Sequence, residues 1–235
     1  LMTMVETETA RNSHVLHSQV LQRFSFVEKP TDETAQFVLE QYATNQGASY
    51  VSSAYALGSL VSRYNQTENQ ELQSQLNSRM VSDLEAAEGI EKQSTLLVAL
   101  GNAGQMENIP VVESYSSDAS WRVRESAAQA LIDTQSPQSE EILLKLSTDS
   151  DVGVQRTALH ILERYELGQA SLEELAGLVT QGHIKKRNFD NVLLLVENLQ
   201  EPSLKRGVLG YLHRNAMDDP ALKGRILRTI DTIQG

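Results

Sequence analysis

Apolar side chains return at three- and four-residue spacing along most of this chain, which is the period of an amphipathic helix and not of a strand. The pattern is sharpest in DASWRVRESAAQALIDT, residues 118–134, where an acidic cap at Asp118 precedes Val123, Ala127, Ala128 and Leu131 on one face. Those side chains are small, so the helix can approach its neighbours closely. The pattern repeats: Leu96, Leu97 and Leu100 move by 31 residues onto Ala127, Ala128 and Leu131, and by another 31 onto Ala158, Leu159 and Leu162. Shorter segments between them follow the same step, Val112 onto Leu143 and Tyr115 onto Leu146. Each unit therefore reads as a helical hairpin that cannot bury its apolar face alone, and neighbours stacked side by side complete the core.

In chain order, residues 1–30 are an N-terminal segment packed on the first repeat, helical at first and alternating like a strand at Phe24 and Phe26. Residues 31–166 hold the regular repeats, and 167–235 hold divergent helical repeats of the same array. Helices are expected over Glu33–Asn45 with Thr31 or Asp32 as cap, over 48–64, over Glu71–Glu88, and over Ile90–Ala103 with Gly104 as the stop. Further helices fall at Asn108–Tyr115 and Pro137–Leu146; Ser171 with Glu174 forms a capping box, and Ile184–Leu199 is one longer helix. Helices opening at Pro202 and Ala221 close the chain. The expected fold class is all-α, an α-α superhelix of about five helical hairpins.

Composition adds exclusions. With no cysteine there is no disulfide, thiolate metal site or cysteine nucleophile, and the redox compartment is left open. Residues 1–182 carry 11 Lys/Arg against 25 Asp/Glu, whereas residues 183–235 carry 9 against 6. An acidic surface of this kind repels nucleic acid, whose binding depends on clustered cations. VLLLV at 192–196 is the longest dense apolar run, too short to span a membrane. The start, LMTMVETETARN, lacks the form of a secretion leader, and opening at Leu1 suggests a processed chain or a fragment.

Asp118, Val123, Arg124, Ala127, Ala128, Ala130 and Leu131 together resemble the second helix of HEAT repeats, in which Asp, Val-Arg and Ala-Ala-x-Ala-Leu recur. Gln155 stands where the next copy would carry the arginine. AYALGSLVSRY at 54–64 and LLVALGNAG at 96–104, separated by a long polar helix, give residues 50–131 a further similarity to the superhelical domain of vitellogenin-type large lipid transfer proteins. The first resemblance implies a protein- or peptide-binding scaffold. The second implies a helical domain that braces a lipid-binding cavity in an extracytoplasmic protein, which makes lipid a second partner class.

Candidate chemistry is sparse. HExxH, GxSxG, phosphate-loop and GxGxxG patterns are all absent, so the chain is expected not to be an enzyme and to need no cofactor. His14 and His17 have a metal-capable spacing without a third ligand, and no metal site is expected. Trp121 aligns with Ile90 and Val152 at the repeat step and is expected to pack between helices. Arg124 is expected to pair with acidic groups of neighbouring repeats. Ser94, Glu125 and Arg156 align at the same step, as do Val98, Gln129 and His160, so Glu125, Gln129, Arg156 and His160 mark an inner ridge for a protein or peptide partner. His183 to Arg187 is the one basic cluster; Lys185, Lys186 and Arg187 sit at a helix start, where they oppose the dipole, and point to an acidic contact. Asn65–Gln66–Thr67 is a glycosylation sequon. The sequence thus implies a non-catalytic scaffold binding a partner along its concave face. The alternatives are the lipid-transfer domain and an enzyme on a HEAT scaffold, such as a base-excision glycosylase or a bilin lyase.

Overall fold

The structure, a computed structural model, describes residues 14–64, 69–216 and 219–234. Among these the chain is helical without strands, and the fold class is the expected all-α, α-α superhelix class of helical hairpins. The side chains of His14 and His17 and the sequon at 65–67 lie outside the described residues. Contacts group the chain into two compact units, Leu1–Thr134 and Gln135–Gly235.

In the first unit one row is formed by α1 (His14–Phe24), α3 (Gly47–Tyr64), α5 (Ile90–Ala103) and α7 (Trp121–Gln129), each packed on the next. A second row holds α2 (Asp32–Thr44), α4 (Gln70–Glu85) and α6 (Ile109–Tyr115), each docked on a helix of the first row. The second unit alternates in the same way, with α8 (Pro137–Leu146), α10 (Gln169–Thr180) and α12 (Pro202–Asn215) in one row. Its other row is α9 (Val152–Leu162), α11 (Phe189–Val196) and α13 (Pro220–Gln234). The nine residues related by the repeat step, Leu96 to Leu162, are all buried, so the periodicity marks the core face of α5, α7 and α9.

Backbone approach sets the spacing of the first row. A Cβ added at Gly58 on α3 would lie 2.0 Å from the carbonyl oxygen of Ala99 on α5, and one added at Gly101 would lie 2.8 Å from Cα of Ala130. Both glycines follow an Ala-Leu pair, and each meets the alanine of the next Ala-Leu pair along the chain. The second row is joined by amides. Asn77 on α4 and Asn108, which closes the 3-10 turn Met106–Asn108 ahead of α6, are both buried and exchange two side-chain hydrogen bonds of 2.9 Å. Gln73 Nε2 donates to Gln105 Oε1 at 2.8 Å beside them. Reciprocal pairing satisfies polar groups that burial would otherwise leave bare.

Helix ends hold most of the departures from expectation. Asp118 does not cap α7: its carboxylate accepts from the backbone N–H of Ser120 at 2.7 Å, a turn that sets up the helix start, and Ser120 is the cap residue. The same turn recurs with Asp149 and Asp151, but there Asp151 does cap α9, accepting from Gly153 and Val154. Ser171 and Glu174 form no capping box, because α10 begins earlier, at Gln169 after Gly168, and both residues already lie within it. The single helix expected over Ile184–Leu199 is instead a 3-10 turn, Lys186–Asn188, leading into α11. No strand forms at Phe24 and Phe26: Phe24 ends α1 and is buried against Phe37, while Phe26 is exposed. The segment does pack on the first repeat, through α1 on α3 and a Ser18–Ser52 hydroxyl pair at 2.6 Å.

Two outcomes are expected from this packing. Gly58→Ala lowers stability by about 1–3 kcal/mol, because overpacking against a backbone oxygen outweighs alanine's helix preference of about 1 kcal/mol. Gly207→Ala on α12, where an added Cβ meets nothing within 4 Å, instead raises stability by about 0.5–1 kcal/mol. Denaturant midpoints of the two variants should therefore move in opposite directions. Asn108→Ala is expected to lose about 1–3 kcal/mol by stranding the Asn77 amide oxygen, and a double-mutant cycle with Asn77→Leu should show strong coupling.

Candidate functional site

In the first unit, two helices present matching stripes one turn apart. Ile90, Ser94 and Val98 run along α5, and Trp121, Glu125 and Gln129 occupy the repeat-equivalent places on α7. Each stripe opens on a large exposed apolar group, Ile90 at 43% and Trp121 at 45% exposure. Trp121 is therefore not the interhelix packing residue its alignment suggested. It is the first residue of α7, so no preceding turn of that helix covers its ring, and the Arg122 guanidinium lies 5.4 Å from its centroid. Glu125 is half-buried and Gln129 exposed. The Ser94 hydroxyl is buried without a hydrogen-bond partner.

Arg156 and His160, the other two ridge residues, are exposed on α9 of the second unit. His160 Nδ1 lies 3.4 Å from Glu163 Oε2 on the same helix. Glu125 and Gln129 thus belong to the first unit, and Arg156 and His160 to the second.

A cleft of about 1000 Å³ opens in the first unit where the end of α2 meets the starts of α3 and α5. Tyr42 and Tyr50 stack there with ring centroids 5.4 Å apart. Asp83 accepts from the Tyr42 hydroxyl at 2.7 Å and from Arg79 Nε at 2.8 Å. Burial first, and then the bond to Asp83, push the Tyr42 phenol far above its usual range. Lys92 and Arg122 line the rim together with Glu88, Glu91 and Ile90, so the cleft adjoins the exposed starts of both stripes. Nothing in the sequence announced it, because its walls come from residues 42–51, 79–95 and 122, which carry no local pattern in common.

The basic cluster is partly structural. Lys185, Lys186 and Arg187 are all exposed, but the Lys185 ammonium donates to the Ser150 carbonyl and its backbone N–H donates to Gln155 Oε1 at 3.0 Å. Gln155, itself buried, donates to the carbonyls of Asp149 at 2.8 Å and His183 at 3.0 Å. Arg124 has the equivalent role one repeat earlier, with Nη1 donating to the Asp118 carbonyl at 2.8 Å and the Ala119 carbonyl at 3.2 Å. The position thus ties a helix to the loop before it, and either side chain can reach. Among the described residues no three His, Asp or Glu side chains gather as a metal site, and no helix is long and apolar enough to cross a membrane.

Comparison with known proteins agrees with the repeat geometry. Residues 83–163 and 109–186 match the family model for HEAT repeats, so this part of the chain is a HEAT-repeat α-solenoid segment. No curated protein matches the chain. Similar solved structures include an engineered protein from the Northeast Structural Genomics Consortium, with a TM-score of 0.48 and 14% identity over 100% of this chain and 68% of that one. Another is the complex of CpcE and CpcF of phycocyanin lyase from Nostoc sp. PCC7120, with a TM-score of 0.36 and 15% identity over 99% of this chain and 94% of that one.

Proposed function

We propose that this chain is a non-catalytic scaffold that binds a protein or peptide segment across the stripes of α5 and α7. The observation that carries the reading is the pair of large apolar side chains, Ile90 and Trp121, left exposed at equivalent places in successive repeats. A half-exposed tryptophan beside an arginine is the composition of a binding anchor, and Glu125 and Gln129 continue the same stripe with groups that can orient a bound chain. Arg156 and His160 supply the corresponding polar positions of the second unit. Within the second unit, Lys186 and Arg187 offer an exposed basic contact for an acidic segment. The reading needs no cofactor, and the acidic surface of residues 1–182 disfavours nucleic acid. The vitellogenin-like lipid reading of residues 50–131 draws no support from the cleft, which six charged side chains line: Arg79, Asp83, Glu88, Glu91, Lys92 and Arg122.

A photo-crosslinking amino acid placed at position 121 should capture a discrete protein from cells of the source organism, and one placed at the buried position 127 should capture none. Trp121→Ala should weaken binding of the captured partner by roughly thirtyfold, the scale of an anchor residue. Equal labelling at both positions, or undiminished binding by the variant, would refute the reading. Native mass spectrometry showing copurified lipid would favour the lipid-transfer alternative.

A further inference from the structure

A second groove lies on the other row of the first unit, away from the residues used above. It is a channel of about 650 Å³ between α2 and α4, with Asp32, Glu33, Gln36, Phe37 and Glu40 on one side and Asn69, Glu71, Leu72 and Gln75 on the other. Phe37 is nearly covered, its ring 5.6 Å from that of Phe24, and Leu72 is half-buried, so both are fixed in place and offer an apolar strip between the helices.

Four carboxylates, Asp32, Glu33, Glu40 and Glu71, flank that strip, and among the described residues that line it there is no lysine or arginine. Three of them are bonded by amides: Gln36 Nε2 donates to Glu40 at 3.3 Å, Gln75 Nε2 to Glu71 at 3.2 Å, and Asn69 Nδ2 to Asp32 at 3.0 Å. An amide orients a carboxylate without neutralising it. Asp83, elsewhere on α4, shows the contrast, since Arg79 pairs with it. The charge of Asp32 also acts on Tyr64 of α3, whose phenol is pushed up to about 12 by burial first and then by that carboxylate. Like charges held along two neighbouring helices repel one another, and a cationic occupant relieves that repulsion.

We infer that the α2–α4 groove is a docking site for a basic amphipathic segment of a partner protein, its aliphatic side chains on Phe37 and Leu72 and its lysines or arginines on the flanking carboxylates. A helix is the form that suits the channel, because apolar side chains three and four residues apart would follow the strip while the cations between them reach both walls. The site is separate from the α5–α7 stripes and does not depend on their function.

The test is fluorescence anisotropy with a labelled synthetic helix carrying leucine at every third or fourth position and lysine elsewhere, added to the full chain. The wild type should bind it, with affinity falling as salt rises. Glu40→Lys combined with Glu71→Lys should weaken binding roughly tenfold or more. Leu72→Gln, a milder change at an incompletely buried position, should weaken it several-fold with an unchanged melting temperature. Trp121→Ala should leave it as tight as the wild type, which separates this site from the stripe proposed above. The inference is overturned if a peptide with its leucines replaced by serine binds equally well, since that is charge attraction without a groove. It is overturned as well if the charge-reversed protein binds like the wild type, or if Trp121→Ala abolishes binding while the groove variants do not.

Discussion

The close contact of α3 with α5, and of α5 with the end of α7, is the constraint from which the first unit is built. At Gly58 and Gly101 there is no room for a methyl group, so the first-row helices meet backbone to backbone. Contact at that distance leaves little freedom to slide. Helices held this closely keep Ile90 and Trp121, at the starts of α5 and α7, at a fixed spacing.

The second row is joined differently, through paired amides at Asn77 and Asn108 and at Gln73 and Gln105. Directional bonds fix register there, whereas backbone contact fixes distance in the first row. The second row also carries the acidic groove between α2 and α4. One unit thus carries an exposed apolar pair, Ile90 and Trp121, on its first row and an acidic groove on its second.

The loops show how the repeat tolerates substitution. Arg124 and Gln155 differ in charge and length, yet each reaches the carbonyl six residues back, at Asp118 and Asp149. What the fold requires at that position is a donor of adequate reach. Gln155 does more, since its oxygen also accepts from the backbone of Lys185 and thereby ties the basic loop to α9. Part of the basic cluster is thus explained by local structure.

The helical period and the buried faces of α5, α7 and α9 were legible in the residues themselves, because each depends on side chains within one or two turns of each other, and the 31-residue step was legible because that local pattern recurs. Gly104 as a stop and Pro137 as a first residue were legible for the same reason, since backbone conformation is a local matter. Exposure was not. Trp121 shares its alignment with apolar residues, but whether a ring at the start of a helix is covered depends on what lies beyond that helix. The cleft at Tyr42 and Asp83 and the acidic groove between α2 and α4 bring together residues roughly 40 positions apart, so only the packing of whole helices could assemble them. Periodicity dictated which face of each helix turns inward, and tertiary packing decided which outward groups converge, because convergence is set by the distance between helices and by nothing within any one of them.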